Sequence, residues 1–311
     1  GRADAMLLGS DLRVPAEMAA GINGQFCRAT NFEDSGPGRH VGPLCVHSAL
    51  AVGQRVRTSG AELLAAIAFG YALSARFHFA ELGATAFPHH RLAAAAIAAR
   101  LLGLDVNQIA RALSLAWEMP HRAAQGETTT TFIPGRISPL GTPGQLATPL
   151  YHARFGVQAA LMVLHGFESV PDEIDAHKDD YDRATLLGGL NFDDVLQMEL
   201  KPWPCVRPGQ CAIQALAELI QEHQIDPGAI QGVRLTVPRV ATIPHQNESS
   251  PTTFWKAVYS LQWAATMIIR QVPPGPQWFT AHQIDHAGNQ ALAAKIELVE
   301  DPDSTQAYAA Q

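Results

Sequence analysis

The sequence lacks the short motifs that mark common nucleotide-dependent and hydrolytic sites. It contains no G-x-S-x-G elbow, no H-E-x-x-H pair, no P-loop and no G-x-G-x-x-G turn after a predicted strand. Nucleotide and nicotinamide cofactors therefore have no support in the sequence.

Charged side chains are also scarce, at 16% of the chain, whereas hydrophobic residues make up 47%. This composition is typical of a globular protein with a large core and a thinly charged surface, and it hints at burial in an oligomer. The formal net charge is -7, and no basic stripe is present. We therefore expect no nucleic-acid partner.

Cysteine is rare and not paired by spacing. The four cysteines show neither zinc-ribbon nor thioredoxin spacing, which predicts unpaired thiols in a reducing, cytoplasmic compartment. The chain starts without a signal-peptide pattern. Its most apolar run, residues 61–83, is interrupted by polar side chains, and we expect a buried core helix there and not a membrane span.

Helical periodicity dominates the first two thirds of the chain. Alanine and leucine, both good helix formers, fill segments that are apolar on most faces, as in the interior of an all-helical domain. Helices are predicted at 15–27, 43–57, 60–80, 91–102, 105–118 and 151–166, then at 209–224 and 252–271, with strands at 232–240 and near the chain end. We predict a mostly α fold with an α+β part: an all-helical domain over 1–198 and a smaller α+β domain over 199–311.

A polar loop, "TNFEDSGPGRHVGP", interrupts the first helices at residues 30–43. Glycines and prolines bend the chain around its polar members, which include Asn31, Glu33, Asp34, Ser35 and His40. A histidine beside carboxylates can act as a general acid or base, so this loop is a candidate active site. The alternative is a solvated connector in which Asp34 or Ser35 caps the next helix.

The segment "KPWPCVRPGQC", residues 201–211, is a second candidate. Lys201 and Arg207 lie near the start of a predicted helix, whose N-terminus itself favours anions. A ligand carrying a carboxylate would suit this corner, although an ordinary interdomain linker is the alternative. The aromatic face of 252–271, which includes Trp263, is expected to be core.

Thirteen histidines raise the question of a metal site. His78, His89 and His90 lack the i, i+4 spacing that places two ligands on one helix face. We therefore predict no metal.

Six segments, in order, resemble the MmgE/PrpD family, which includes 2-methylcitrate dehydratase, cis-aconitate decarboxylase and iminodisuccinate epimerase. The six segments are "GINGQFCRATNFEDSGPGRHVGPLCVHSALAVG", "SGAELLAAIAFGYALSARF", "RLAAAAIAARLLGLDVNQIARALSLA", "FGVQAALMVLHGFESVPDEID", "KPWPCVRPGQCAIQALAEL" and "TTFWKAVYSLQWAATMII". The resemblance implies a large helical domain and a smaller α+β lid with the active site between them, a homodimer and no cofactor. It also implies proton removal or loss of CO2 beside the carboxylates of small acids, with donors and cations stabilising an anionic intermediate. The chain is expected to begin inside the first helices of the family and to stop before its closing segments.

The resemblance also shows departures at the family's site positions. Asn31 stands where the family has aspartate, and Ser35 stands for a threonine. Gln145 falls on a lysine, Gln210 on a histidine and Trp263 on a tyrosine.

His40 matches a family histidine, and His89 or His90 matches another. We expect His40 to be the acid or base, helped by one of those two, with Asp34 orienting it. The expected anion contacts are Lys201, Arg207 and Arg136. The replaced positions Gln145, Gln210 and Trp263 are expected to contact the substrate as well.

The sequence thus predicts a cofactor-independent lyase or isomerase that acts by proton transfer on a small carboxylic acid, with an altered substrate or reaction. One alternative is a catalytically inactive binding protein on the same scaffold. Another is a standard 2-methylcitrate dehydratase or cis-aconitate decarboxylase.

Overall fold

A computed structural model describes residues 2–37, 40–80, 88–119, 148–176 and 182–309. The described residues form two compact units. The first comprises 2–28 and the described parts of 34–200, and the second comprises 29–33 and 201–309. The sequence prediction placed the domain boundary after residue 198 and assigned all earlier residues to the helical domain. In the structure the short segment 29–33 instead belongs with the second unit.

The described residues of the first unit are mainly helical, with a short β-hairpin near the start of the unit. In the hairpin, β1 (Ala5–Met6) pairs antiparallel with β2 (Arg13–Val14). The helices are α1 (Ala16–Arg28), α2 (Gly42–Val56), α3 (Gly60–Ala80), α4 (Pro88–Leu101), α5 (Val106–Glu118), α6 (Thr148–Leu164), α7 (Glu173–Ala176) and α8 (Arg183–Leu187). A 3-10 helix, Phe192–Gln197, packs against α3.

Helix α4 lies at the centre of this unit and packs against α2, α3, α5 and α6. Its run from Leu92 to Ala99 is fully buried. Alanine side chains let the neighbouring backbones approach closely, and Gly156 on α6 allows a close approach to α4: a Cβ there would lie 2.5 Å from the backbone oxygen of Arg91. Small residues therefore set the spacing of the helices.

Helix α3 is a long and strongly apolar helix. By length and composition alone it could cross a membrane, and 39% of its most apolar window is buried. A single such helix is weak evidence, because core helices of soluble proteins have the same composition. In the structure α3 packs against α2, α4 and α8, and its interpretation as a core helix stays a prediction.

The second unit combines helices with one pair of strands. Strand β3 (Val233–Val237) pairs parallel with β4 (Ile296–Glu300), with Leu235 opposite Leu298. Its helices are α9 (Gln210–His223), α10 (Phe254–Tyr259), α11 (Leu261–Ile269), α12 (Ala281–Ile284), α13 (Ala287–Ala293) and α14 (Pro302–Ala309), and its 3-10 helices are Arg207–Gly209, Pro227–Ala229, Arg239–Thr242 and Pro276–Phe279. The mostly helical fold with a smaller α+β part is thus confirmed.

Two details of this unit differ from the sequence prediction. The helix predicted over 252–271 is two helices, because Ser260 adopts an extended backbone conformation and its hydroxyl accepts a hydrogen bond from the Trp263 N–H, capping α11. No helix was predicted after the final strand, but Asp301 starts α14 there by accepting a hydrogen bond from the Ser304 N–H at 2.8 Å.

Candidate active site

Asp34 of the polar loop is held by two donors from the first unit. The Tyr71 hydroxyl on α3 donates to Asp34 Oδ2 at 2.7 Å, and the Gly42 N–H at the start of α2 donates to Oδ1 at 3.1 Å. Asp34 is 8% exposed. A carboxylate bound by two donors has a fixed orientation, so Asp34 is a rigid element of the loop.

Two neutral acids surround this carboxylate. Burial, followed by the negative charge of Asp34, raises the pKa of Tyr71 far above its usual value. The same two causes raise the pKa of Cys45. Tyr71 therefore remains a protonated donor to Asp34, and the buried Cys45 thiol is not a nucleophilic thiolate at neutral pH.

Backbone pairing fixes the next residues of the loop. Ser35 and Glu199 exchange two backbone hydrogen bonds, of 2.9 and 2.7 Å. Gly36 has a φ of +147°, and a side chain there would meet Gln197 and Met198. His40 lies partly buried just before α2. The part of the loop that follows Glu33 is thus built into the first unit, and Asp34 binds the first residue of α2 from a buried position and not from a solvated connector.

Four histidine rings form a row in the first unit, which we call the imidazole row: His78 on α3, His89 and His90 on α4, and His152 on α6. Successive ring centroids are 6.0 Å (His78–His89), 4.7 Å (His89–His90) and 5.8 Å (His90–His152) apart. The last three are 0%, 1% and 3% exposed. His89 and His90, either of which could match the family histidine, therefore both belong to one buried group of imidazoles.

A metal ion is the first ligand that such a row suggests. Within the described residues, no group of three or more His, Cys, Asp or Glu is arranged to hold one. The expectation that the protein uses no metal stays a prediction.

In the second unit, Lys201 is buried among acceptors. Its Nζ donates to the backbone oxygen of Asn31 at 3.1 Å, to Asn31 Oδ1 at 2.9 Å and to Glu33 Oε1 at 3.2 Å. The Lys201 and Glu33 side chains are 2% and 0% exposed. These contacts use all three donors of the ammonium group, and one carboxylate balances its charge.

Gln210 serves the segment before α9. Its Nε2 donates to the backbone oxygens of Trp203 and Cys205 at 2.9 and 3.0 Å, and its Oε1 accepts from the Trp203 N–H at 3.3 Å. Burial raises the pKa of the neighbouring Cys205 to about 12, although the charge of Lys201 opposes this shift. The side-chain amide of Gln210 thus stabilises the turn at Trp203–Cys205.

The remaining predicted residues are dispersed. Arg207 lies over the ring of Tyr308 at 5.9 Å. Trp263 is fully buried, and its indole N–H donates to the backbone oxygen of Trp278 at 2.9 Å, as expected for core. Gln145 and Arg136 lie outside the described residues.

Three residues of these groups were not singled out as functional from the sequence. Tyr71 lies on the apolar α3 pattern, and its partner Asp34 is 37 residues away. His78 was considered only as a metal ligand, and His152 not at all. The sole available signal was a polar residue within an apolar helix, which is weak because buried histidines often have structural partners.

A helical unit and a smaller unit with a parallel strand pair, both with buried ionisable groups, define a mostly helical two-unit protein. Family models match the MmgE/PrpD N-terminal domain over residues 1–190 and the MmgE/PrpD C-terminal domain over residues 203–311. The chain therefore belongs to the MmgE/PrpD family, whose members are generally lyases such as dehydratases. No individual curated protein gave a significant match.

Proposed function

We propose that the protein is a cofactor-independent lyase or isomerase that moves a proton on a small carboxylic-acid metabolite. The main support is the match of both family domains over most of the chain, since that family consists generally of lyases. The proposal covers dehydration, decarboxylation and epimerisation, which all move a proton on carbon or oxygen of such an acid.

The polar loop provides the chemistry of this proposal. His40 would donate or accept the proton, because imidazole changes charge near neutral pH. Asp34 would orient it from a position fixed by Tyr71 and Gly42. A proton transfer of this kind needs no redox group.

The surroundings of Lys201 favour a substrate with fewer negative charges than a tricarboxylate. Its donors are taken by Asn31 and Glu33, and Glu33 neutralises its charge. The charge in this cluster is thus already balanced without a ligand.

A catalytically inactive binding protein is the second candidate. Its support is that Gln210 fastens a turn and Trp263 lies in the core, so neither polar group is available to a ligand in this arrangement. This candidate predicts ligand binding without turnover.

The test is to incubate the purified protein with a panel of small carboxylic acids and enoates that includes 2-methylcitrate and cis-aconitate, and to follow products by NMR. His40→Ala should lower turnover by about 10²- to 10⁴-fold, the usual contribution of a general acid or base. His165→Ala, at the exposed end of α6, is the matched control. Unchanged turnover in His40→Ala would refute the assignment, and no turnover of any acid would favour the binding protein.

A homodimer and a cytoplasmic location belong to the same proposal. Support for the dimer comes from large apolar side chains of the first unit that are exposed in the single chain, including Leu187, Leu196 and Leu200 at 73%, 83% and 85%. Burial of such side chains is a common reason for association. Sedimentation velocity should give twice the chain mass of 33.4 kDa, and a monomer at all concentrations would exclude it.

A further inference from the structure

The imidazole row extends beyond the two histidines that the sequence pointed to. His78 and His152 come from different helices and continue the row at either end of His89 and His90. Three of the four rings are at most 3% exposed. Four ionisable rings in one buried series are costly to place in a core, which calls for a reason.

The distances make the rings titrate together. Two positive charges about 5 Å apart in a protein interior repel strongly, so neighbouring rings in the row resist being protonated at the same time. A proton bound by one ring therefore changes the affinity of the next, and the titration belongs to the row as a whole. The four rings are therefore not all positively charged at the same time.

Neutral imidazole can also pass a proton along. One ring nitrogen carries a hydrogen while the other accepts one, so a ring that takes up a proton on one side can release a proton on the other. Centroid separations of 4.7 to 6.0 Å leave room for direct or single-water contacts between ring nitrogens.

Several groups on the helices around the row bear on its charge. Arg91 follows His90, is 1% exposed, and donates from Nη2 to the backbone oxygen of Trp117 at 2.8 Å. This permanent cation further disfavours a fully protonated row. The same set of helices, α2 to α6, also carries the charged or titratable side chains His47, Arg76, Glu118 and Arg154.

We propose that the imidazole row is a proton-sharing unit that takes up the proton released in the reaction and returns it. A ring that accepts this proton can pass one on to its neighbour, so the row carries one additional positive charge until the proton returns to the reacting groups, whichever ring holds it. His78 and His152 act through His89 and His90 and are positioning residues. The catalytic part of this inference rests on the proposed function, whereas the sharing of protons within the row does not.

The sharing of protons can be measured without a substrate. Histidine ring signals of the intact protein are followed by NMR between pH 5 and 9, in the wild type and in His152→Gln, His78→Gln and the exposed control His165→Gln. Loss of His152 should raise the titration midpoint of its neighbour His90 by about one pH unit, because a repelling neighbour is gone. Loss of the more distant His78 should move His90 less, and the control should move nothing.

Folding and activity supply the remaining checks. Circular dichroism shows whether each variant is folded, and the two end variants test the row independently should one of them fail to fold. If the midpoints stay unchanged in a folded end variant, the rings are independent and the proposal is wrong. Once a substrate is known, the pH profile of kcat should move with His152→Gln by the same amount as the NMR midpoint; an unmoved profile would overturn the catalytic part. Absence of any turnover would refute the proposed function and leave proton sharing to the NMR result.

Discussion

At the residue scale, the most consequential contact of the second unit is the buried ion pair of Lys201 and Glu33. Lys201→Met should lower the free energy of unfolding by about 3–5 kcal/mol, because it leaves a carboxylate buried without its cation. Adding Glu33→Gln should restore part of the loss. Urea denaturation measures both.

A surface pair provides the control for this prediction. Arg234 and Glu297 also form an ion pair, but their side chains are 71% and 62% exposed. Arg234→Met should cost less than about 1 kcal/mol, because water screens an exposed pair. If Lys201→Met and Arg234→Met lowered the free energy of unfolding equally, the burial of Lys201 would have no energetic consequence.

The hydroxyl of Tyr71 offers a second residue-level test. Tyr71→Phe removes the donor to Asp34 Oδ2 and should cost about 1.5–3 kcal/mol, the range for a hydrogen bond to a charged group. Tyr151→Phe on α6, where the side chain is 52% exposed, is the matched control and should be neutral. A thermal unfolding series would decide, and equal Tm values for Tyr71→Phe and wild type would contradict the role given to this hydroxyl.

At the scale of elements, helix spacing depends on residues without side chains. Gly156→Ala would place a Cβ 2.5 Å from the backbone oxygen of Arg91 and 2.6 Å from the Ala94 Cβ. Since α4 is packed on several sides, the helices cannot separate freely, and we expect a loss of about 1–3 kcal/mol despite the better helix propensity of alanine.

Gly60→Ala tests the same chemistry without the crowding. A Cβ at Gly60, the first residue of α3, meets nothing within 4 Å. This variant should be neutral or slightly more stable, because alanine is the better helix former. Chemical denaturation of the two variants side by side separates propensity from packing, and a stable Gly156→Ala protein would mean that α4 and α6 can move apart.

The elements were predictable where one pattern decides them. Helices such as α3 and α5 follow from continuous apolar periodicity, and the structure adds a capping box in which Asp105 caps α5. The break at Ser260 was missed because apolar residues continue on both sides of it. The hairpin β1–β2 is too short to show strand periodicity.

The site was predictable only in its local parts. The polar loop is a single segment, so its candidates could be named together. Lys201 meets Asn31 across 170 positions, and the imidazole row is assembled from three helices. Neither grouping leaves a spacing in the chain, since the packing of helices decides which side chains meet.

At the scale of the whole molecule, buried neutral histidines predict a loss of stability in acid. Burial lowers the pKa of His47, on α2 of the first unit, from 6.5 to about 4. Burial also lowers the pKa of His245 in the second unit. Unfolding exposes each ring to water and restores its ordinary pKa, so in mild acid the unfolded state binds a proton that the folded state does not.

The sign follows from these shifts. Above pH 6.5 neither state of His47 is protonated and its contribution is constant, whereas between pH 6.5 and about 4 only the unfolded state takes up the proton, so stability falls with pH. The expected loss from pH 7 to pH 5 is about 2 kcal/mol for this residue. Glutamine cannot be protonated in this range, so His47→Gln should remove the contribution of this residue to the pH dependence of the free energy of unfolding. This holds whatever the substitution itself costs in stability at pH 7.

The two units allow the contributions to be assigned separately. Four of the five tryptophans lie in the second unit, so tryptophan fluorescence reports mainly on it, whereas circular dichroism weights the helices of the first. His47→Gln should flatten the pH dependence of the dichroism transition in urea, and His245→Gln that of the fluorescence transition. His223→Gln, an exposed histidine of α9, should flatten neither. If each variant flattens both transitions equally, the units unfold as one cooperative system; if neither does, the buried rings do not control acid stability.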